Sequence, residues 1–496
     1  MNLASVIEAH PAEAEALVDE AGRVVTYGEL RDDVARRRGG LTGLGLRPGD
    51  RVALALPTGP DFVATYLAVL GTGAVAVPLN PHSPTPELQR ELTATTPRVL
   101  VAGPDAATAE LDVEHLVPVG DLRAGEPAPG ADTVGAADDD VAVLVFTSGT
   151  AGPSRPAMLT HGNLRANIDQ LFESGGRQTP DDRVLAVLPS FHIYGLNVAI
   201  GASLAAGSTV VLAERFDPAG TLALVTGQGV TIVPGVPSMW SAWAALPEAD
   251  AAADAFAKVR LATSGAAPFD PAVRAAVRDR FGLDVVEGYG LTEASPAVTS
   301  GFGLATPDGS IGVPLPGVQV RLVDRVGPGV SGDGPDPGEV EDVLVGDPGE
   351  IWVRGPNVFP GYWEDPAATA AALTPDGWLR TGDVAVVDDD GFLYLVDRAK
   401  DLVIVSGFNV FPAEVEDVLT HHPGVAEAAV VGRPDPQTGE AVTAYVVAAD
   451  PERPPTGREL IDHCRDHLAG YKCPVEVAFV AELPHSLNGK LLRRAL

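Results

Sequence analysis

Lysine is scarce in this 496-residue chain: only four of its 34 basic residues are lysine, namely Lys258, Lys400, Lys472 and Lys490. Where arginine is the ordinary cation, a lysine points to a place that wants a compact charge on a flexible stem in preference to a planar fork. Lys490 ends the run Pro484-His485-Ser486-Leu487-Asn488-Gly489-Lys490. It reads either as a solvated lysine or as a charge able to sit between a carboxylate and a phosphate. Basic charge is short overall, 34 residues against 67 acidic ones, and the net charge of −33 is spread along the chain. This excludes the basic footprint that nucleic acid or anionic lipid requires, and leaves any anionic ligand to be met by a few local cations. Cysteine is nearly absent: Cys464 and Cys473 lack a metal-ligand pattern, so free thiols in a reducing compartment are expected. No apolar run reads as a membrane span. The longest, 62–79, is interrupted by Gly71, Gly73 and Pro78 and predicts a helix over 62–70, a turn, and a strand over 74–77. No basic segment leads into an apolar one at the N-terminal end, so no secretory signal, no integral membrane association and a cytoplasmic location are expected. No internal repeat stands out.

What is present is an ordinary globular composition, 45% hydrophobic and 20% charged, with enough length for two or more domains. Apolar β-rich runs at 141–146, 184–188, 209–212 and 259–262 alternate with Ala-rich helical stretches, the pattern of a sheet buried on both faces. Residues 323–349 change to Gly, Pro and acid and read as a solvated loop. A second change follows Asp397: a strand over 402–405, a turn at Gly407, a helix opened by Pro412 with Glu414 and Glu416 in its first turns, strands over 428–431 and 443–447, and a helix over 460–468. The predicted class is α/β, with a large N-terminal multi-subdomain α/β domain over 1–396, a hinge at 397–400, and a small C-terminal α+β lid domain over 401–496.

Two segments carry chemistry on their own residues. The strand 141–146 runs straight into Thr147-Ser148-Gly149-Thr150-Ala151-Gly152-Pro153-Ser154-Arg155. Glycines let backbone N–H groups approach oxygen, hydroxyls donate to it and a cation neutralises it, so the parts are those of a phosphate cradle. The Walker spacing is missing, and an ordinary turn is the alternative. Downstream, Glu287-Gly288-Tyr289-Gly290-Leu291-Thr292-Glu293 sets a ring between glycines and adds a hydroxyl and a carboxylate. Tyr289 can stack on a base and Glu293 can hold Mg²⁺ bridging phosphates; alternatively the ring packs the loop.

With both segments in view, the sequence resembles the superfamily of adenylate-forming enzymes: acyl-CoA synthetases of the fatty-acid–CoA ligase type, coumarate-type CoA ligases, firefly luciferase and peptide-synthetase adenylation domains. The resemblance covers nearly the whole chain, with motifs in family order. After the phosphate loop come Ser264-Gly265-Ala266-Ala267-Pro268, the 288–293 segment, and Gly349-Glu350-Ile351 leading to Gly361-Tyr362-Trp363. Thr381-Gly382-Asp383, Asp397-Arg398-Ala399-Lys400-Asp401, Gly407-Phe408-Asn409-Val410-Phe411-Pro412 and Gly489-Lys490 complete the series. One departure stands out: where the family reads Thr-Gly-x-Pro-Lys-Gly, this chain has Ala151-Gly152-Pro153-Ser154-Arg155-Pro156, so Arg155 replaces a lysine and two prolines stiffen the loop.

The resemblance implies ATP, Mg²⁺ and CoA as partners of the reaction. It implies that Thr147, Ser148, Gly149, Thr150, Gly152 and Arg155 shelter the β- and γ-phosphates, that Ser264, Gly265, Ala266 and Tyr289 flank adenine with Gly288 and Gly290 also in the ATP site, and that Thr292 meets the α-phosphate. Glu293, with Thr150, would hold the metal; Asp383 would accept the ribose hydroxyls beside Arg398; Lys490 would bind the carboxylate and the α-phosphate as they join. Lys400 would be the hinge, and Ser406, Gly407, Phe408 and Lys472 would meet CoA. Pro189-Ser190-Phe191-His192-Ile193-Tyr194-Gly195-Leu196 is similar to the segment lining the acid pocket of acyl- and aryl-CoA ligases, and it lacks the Asp with which amino-acid-activating domains hold an α-amine. His192 either gates the pocket or is a satisfied buried histidine. Gly195, Val236, Met239, Gly265 and Gly290 imply apolar, glycine-walled surroundings. A medium- or long-chain fatty acid transferred to CoA is the expected substrate; an aryl or aryl-aliphatic acid, or delivery to a separate carrier protein, are the alternatives, and a non-catalytic binder is disfavoured by the presence of Lys490. A homodimer stays open.

Overall fold

The computed structural model describes residues 1–104, 106, 108, 111–123, 133–147, 154–247, 252–324, 342–398, 403–405, 408–435, 438–468, 470–485 and 491–496. Among these, two compact units form: one gathers Met1–Gly149, Ser154–Val318 and Gly355–Thr369, the other Gln319–Arg354 and Ala370–Leu496.

The first unit is α/β, as continuous β-branched runs separated by helices require. Its seven-stranded sheet has the order Gly361–Tyr362, Pro156–Thr160, Val141–Phe146, Val75–Leu79, Arg51–Ala55, Val99–Ala102, His115–Pro118. All neighbours are parallel except the two pairs made by Pro156–Thr160, which is antiparallel to Val141–Phe146 and to Gly361–Tyr362. The apolar run 62–79 becomes the helix Pro60–Gly71, buried nearly all round, and the strand Val75–Leu79. That strand continues through Pro78, which is tolerated because pairing on the Val141–Phe146 side is confined to Ala76, opposite Val143.

The nine-stranded sheet runs Val313–Pro314, Ala297–Ser300, Val285–Gly290, Leu261–Ser264, Ile232–Gly235, Arg183–Ala186, Thr209–Leu212, Glu15–Val18, Val24–Thr26. Its middle is parallel and its edge pairs are antiparallel. The strand predicted at 259–262 starts later because Val259 still belongs to a turn, its N–H donating to the Phe256 carbonyl at 2.8 Å. Below this sheet Trp240, Trp243, Phe256 and Phe281 pack edge to face, with centroids 5.1 Å apart for Trp240–Trp243.

In the second unit Gln319–Val323, Gly349–Arg354, Leu379–Val387 and Leu393–Arg398 form an antiparallel sheet. The predicted loop 323–349 lies largely outside the described residues; at its end Leu344 and Val345 are exposed. The C-terminal α+β part has a five-stranded sheet built on Gly439–Ala448. The helices Pro412–Thr420 and Gly457–His467 bury Val415, Leu419, Leu460 and Cys464 in the core beside that sheet. Thr456 caps the second helix in a reciprocal box with Glu459. Both cysteines are buried free thiols.

Candidate active site

The hairpin between Val141–Phe146 and Pro156–Thr160 delivers the ends of the predicted phosphate loop to one point. Thr147 N–H donates to the Arg155 carbonyl at 2.9 Å, Arg155 N–H to Thr147 Oγ1 at 3.3 Å, and Ser154 Oγ to the Thr147 carbonyl at 2.5 Å. The loop's Ser148, Gly149, Thr150 and Gly152 lie outside the described residues. Arg155 is not aimed at open solvent alone: its Nε meets Asp365 Oδ2 at 3.1 Å. The Arg155 guanidinium helps hold the Asp365 carboxyl low, after the larger contribution of the Ala368 N–H.

Glu293 sits in a turn whose backbone is heavily tied. The Glu293 carbonyl accepts from Phe359 N–H at 2.9 Å, the Ala294 carbonyl from Asn357 Nδ2 at 2.9 Å, the Ser295 carbonyl from Asn197 Nδ2 at 2.8 Å, and the Ala297 carbonyl from Asn167 Nδ2 at 2.8 Å. Ser295 Oγ returns a bond to the Asn357 carbonyl at 2.9 Å. The three asparagines are buried and come from three separate segments, so they hold a turn in which Ser295 adopts φ 72°, an uncommon value for a residue with a side chain. On the side chain, Tyr362 O–H donates to Glu293 Oε1 at 2.6 Å. Burial first, and the Glu293 charge second, push the Tyr362 phenol far up, so it stays a donor.

Ser264 and Glu287 are partners in register on adjacent parallel strands, which places Ser264-Gly265-Ala266 beside Gly288-Tyr289-Gly290. Ser264 Oγ is buried and has no hydrogen-bond partner among the described residues. Ala266 has φ 71°, a strained conformation at the turn. Gly290 has a physical reason to be glycine, because a Cβ there would collide with the Pro296 carbonyl. Beneath this pair of turns Arg274, on the helix Pro271–Phe281, forms a buried ion pair with Glu287, reaches Asp308 at 3.4 Å, and lies 5.6 Å from the centre of the Phe269 ring. Burial outweighs the attraction of Arg274 and leaves the Glu287 carboxyl above its usual range.

Around the predicted acid pocket, His192 is partly buried against Phe191, and burial holds its imidazole at about 4. Gly195 packs on the Pro189 carbonyl, which accounts for its lack of a side chain. Val236 precedes the helix Pro237–Ala245, and Met239 is buried in the aromatic core. A Cβ on Gly265 would lie 3.4 Å from Tyr194 Cε1, so the Tyr194 ring covers that glycine. The ring is held through its hydroxyl, 2.7 Å from Thr263 Oγ1.

In the second unit Asp383 is buried, its N–H donates to Thr381 Oγ1 at 3.1 Å, and it is paired in register with Arg398. Lys472 Nζ is bidentate on Glu414, at 2.6 and 2.7 Å. Phe408 opens the short strand Phe408–Val410. Lys400, Ser406, Gly407 and Lys490 lie outside the described residues. The sequence reading assigned no role to Tyr362, Asp365, Arg274 or the three asparagines; only Tyr362 lay in a motif that it singled out.

Loops at the carboxyl ends of parallel strands, carrying a hydroxyl- and glycine-rich hairpin and an acid-bearing turn, define a ligand-binding α/β enzyme. The chain belongs to the AMP-binding enzyme family: the family profile matches residues 3–363, and that of the AMP-binding enzyme C-terminal domain matches residues 414–490. It is similar to a feruloyl-CoA synthase of Amycolatopsis sp, 42% identical over 483 residues covering 96% of this chain and 94% of the relative. It is also similar to a long-chain-fatty-acid–CoA ligase of Yersinia pestis, 34% identical over 525 residues covering 96% and 90%. Among solved structures, ATP-bound MatB from Rhodopseudomonas palustris superposes with a TM-score of 0.88 at 33% identity, covering 100% of this chain and 97% of that one. The protein is thus an ATP-dependent acid–thiol ligase of the adenylate-forming superfamily. Among the described residues no helix is long and apolar enough to cross a membrane.

Proposed function

We propose that this chain activates an aryl or aryl-aliphatic carboxylic acid as its acyl adenylate and then transfers the acyl group to CoA. In the first step a carboxylate oxygen attacks the α-phosphorus of ATP and pyrophosphate leaves. In the second the CoA thiolate attacks the acyl carbon and AMP leaves. The observation that carries the choice of acid is Tyr194, a hydrogen-bonded ring lying over Gly265 and backed by the Trp240–Trp243–Phe256 core. A flat, fixed aromatic wall favours a planar acid over a flexible chain. The 42% identity with a feruloyl-CoA synthase, against 34% with a long-chain ligase, supports the same order.

The residues present fit ATP. Ser264 Oγ, buried and without a partner among the described residues, is the kind of polar atom that a ligand satisfies. Glu293 offers the single carboxylate by which Mg²⁺ commonly joins phosphate oxygens, and the ion when bound would neutralise charge on the departing pyrophosphate. Tyr289 with Ser264, Gly265 and Ala266 would flank the base, Thr292 would donate to the α-phosphate, and Arg155 with Thr147 would receive the outer phosphates. Asp383 would take the ribose hydroxyls, near Arg398. Lys490 would bridge carboxylate and α-phosphate as charge moves between them. For the second step the small domain would turn about Lys400 and bring Ser406, Gly407, Phe408 and Lys472 to CoA, Lys472 exchanging its Glu414 partner.

Pyrophosphate release and thioester formation, measured with an aryl-propenoic acid, a benzoate and fatty acids of several lengths, with and without CoA, test this reading. The highest kcat/KM should fall on an aryl acid. A clear preference for a straight chain of ten or more carbons would overturn the assignment of the pocket.

A further inference from the structure

The segment Gly361-Tyr362-Trp363-Glu364-Asp365 touches both charges of the proposed phosphate site. Tyr362 O–H holds Glu293 Oε1 at 2.6 Å, and three residues on Asp365 Oδ2 holds Arg155 Nε at 3.1 Å. The segment itself is anchored twice: Gly361–Tyr362 pairs with Met158 and Ala157, and Trp363 N–H donates to the Pro156 carbonyl at 2.9 Å. Its turn is tight, with Glu364 at φ 53° and Asp365 Oδ1 capping the next helix through the Ala368 N–H at 2.9 Å. A short strap pinned to the hairpin therefore sets the position of a carboxylate and, separately, restrains a cation.

We propose that this strap is a positioning device for Mg²⁺-bound nucleotide: Tyr362 orients Glu293, and Asp365 is a counter-charge that competes with phosphate for Arg155. The inference rests on the nucleotide reading above. Partners that orient a metal-binding carboxylate are typically worth roughly 10–100-fold in metal affinity. A carboxylate competing for the phosphate cation acts in the opposite direction.

The test is calorimetric binding of a non-hydrolysable ATP analogue at several Mg²⁺ concentrations, with AMP as control, to the full chain and to Tyr362→Phe and Asp365→Asn. Tyr362→Phe removes one oxygen and should weaken Mg²⁺–analogue binding about tenfold, shift the Mg²⁺ requirement upward, and leave AMP binding and the melting temperature unchanged. Asp365→Asn keeps the helix cap and should tighten the analogue about threefold or more, by removing a charge that competes for Arg155, again without altering AMP. If the unaltered chain fails to bind the Mg²⁺–analogue, the nucleotide reading itself fails. If it binds and both variants bind as it does, the strap is overturned, as it is if either variant loses AMP and analogue in parallel. Should Tyr362→Phe not fold, Asp365→Asn decides alone: unchanged or weaker analogue binding refutes the inference.

Discussion

Arg155 shows most clearly how one side chain divides the account. The sequence placed a cation at the end of the phosphate loop, and the structure gives that cation a carboxylate partner 3.1 Å away. Arg155→Lys should keep the ATP dependence of pyrophosphate release within a fewfold, whereas Arg155→Ala should raise the KM for ATP by at least about tenfold, since charge-assisted contacts are worth roughly 1.5–3 kcal/mol. Equal ATP dependence in the Ala variant would remove Arg155 from the site. The Asp365 partner was not legible, because a contact 210 residues away in sequence leaves no local pattern. Histidine supplies a second expectation at this scale. Burial holds His161 and His192 at about 4, against 6.5 ordinarily. The unfolded chain therefore binds more protons between pH 6.5 and 4, and stability falls as pH drops through that window, by about 3 kcal/mol per histidine at most. Urea unfolding across this range should show a shallower slope for His161→Asn, whose amide oxygen can replace the imidazole Nδ1 that accepts the Leu3 N–H at 3.2 Å. An unchanged slope would mean that other groups set the pH dependence.

Among elements, the helix Pro271–Phe281 ties three segments through Arg274: the strand that carries Glu287, the loop at Asp308, and Phe269 after the Ser264-Gly265-Ala266 turn. Arg274→Leu leaves Glu287 buried without its cation and should cost about 3–5 kcal/mol. The double variant Arg274→Leu, Glu287→Gln should regain most of that loss, because an apolar residue facing a neutral one no longer strands a charge. Denaturant unfolding of the four proteins checks the coupling; additive losses would show that the pair does not act as a unit. The elements most readable in advance were those with continuous apolar runs, such as Val141–Phe146 and Thr209–Leu212, which appear with the predicted bounds. Less readable were elements whose ends depend on distant partners. The three asparagines that bind the Glu293 turn looked like ordinary polar residues at positions 167, 197 and 357, since nothing local reveals a backbone carbonyl waiting across the fold.

At the level of the whole molecule, the two half-reactions are proposed to use different arrangements of the large and small domains. Lys490→Ala should then depress acyl-adenylate formation by roughly 10²–10³-fold while sparing thioester formation from supplied acyl-AMP. Lys400→Pro, which fixes φ at the proposed hinge, should do the reverse. Single-turnover measurement of each half-reaction separates them, and parallel losses in both variants would remove the division of labour. The central claim, that the carboxylate is activated through the α-phosphate of ATP, meets its most direct test in an isotope experiment. With an aryl acid labelled with ¹⁸O in its carboxyl group, and with ATP and CoA, the account predicts one ¹⁸O atom in the AMP released and none in pyrophosphate. Label in inorganic phosphate or pyrophosphate, or AMP without label after thioester has formed, would contradict it.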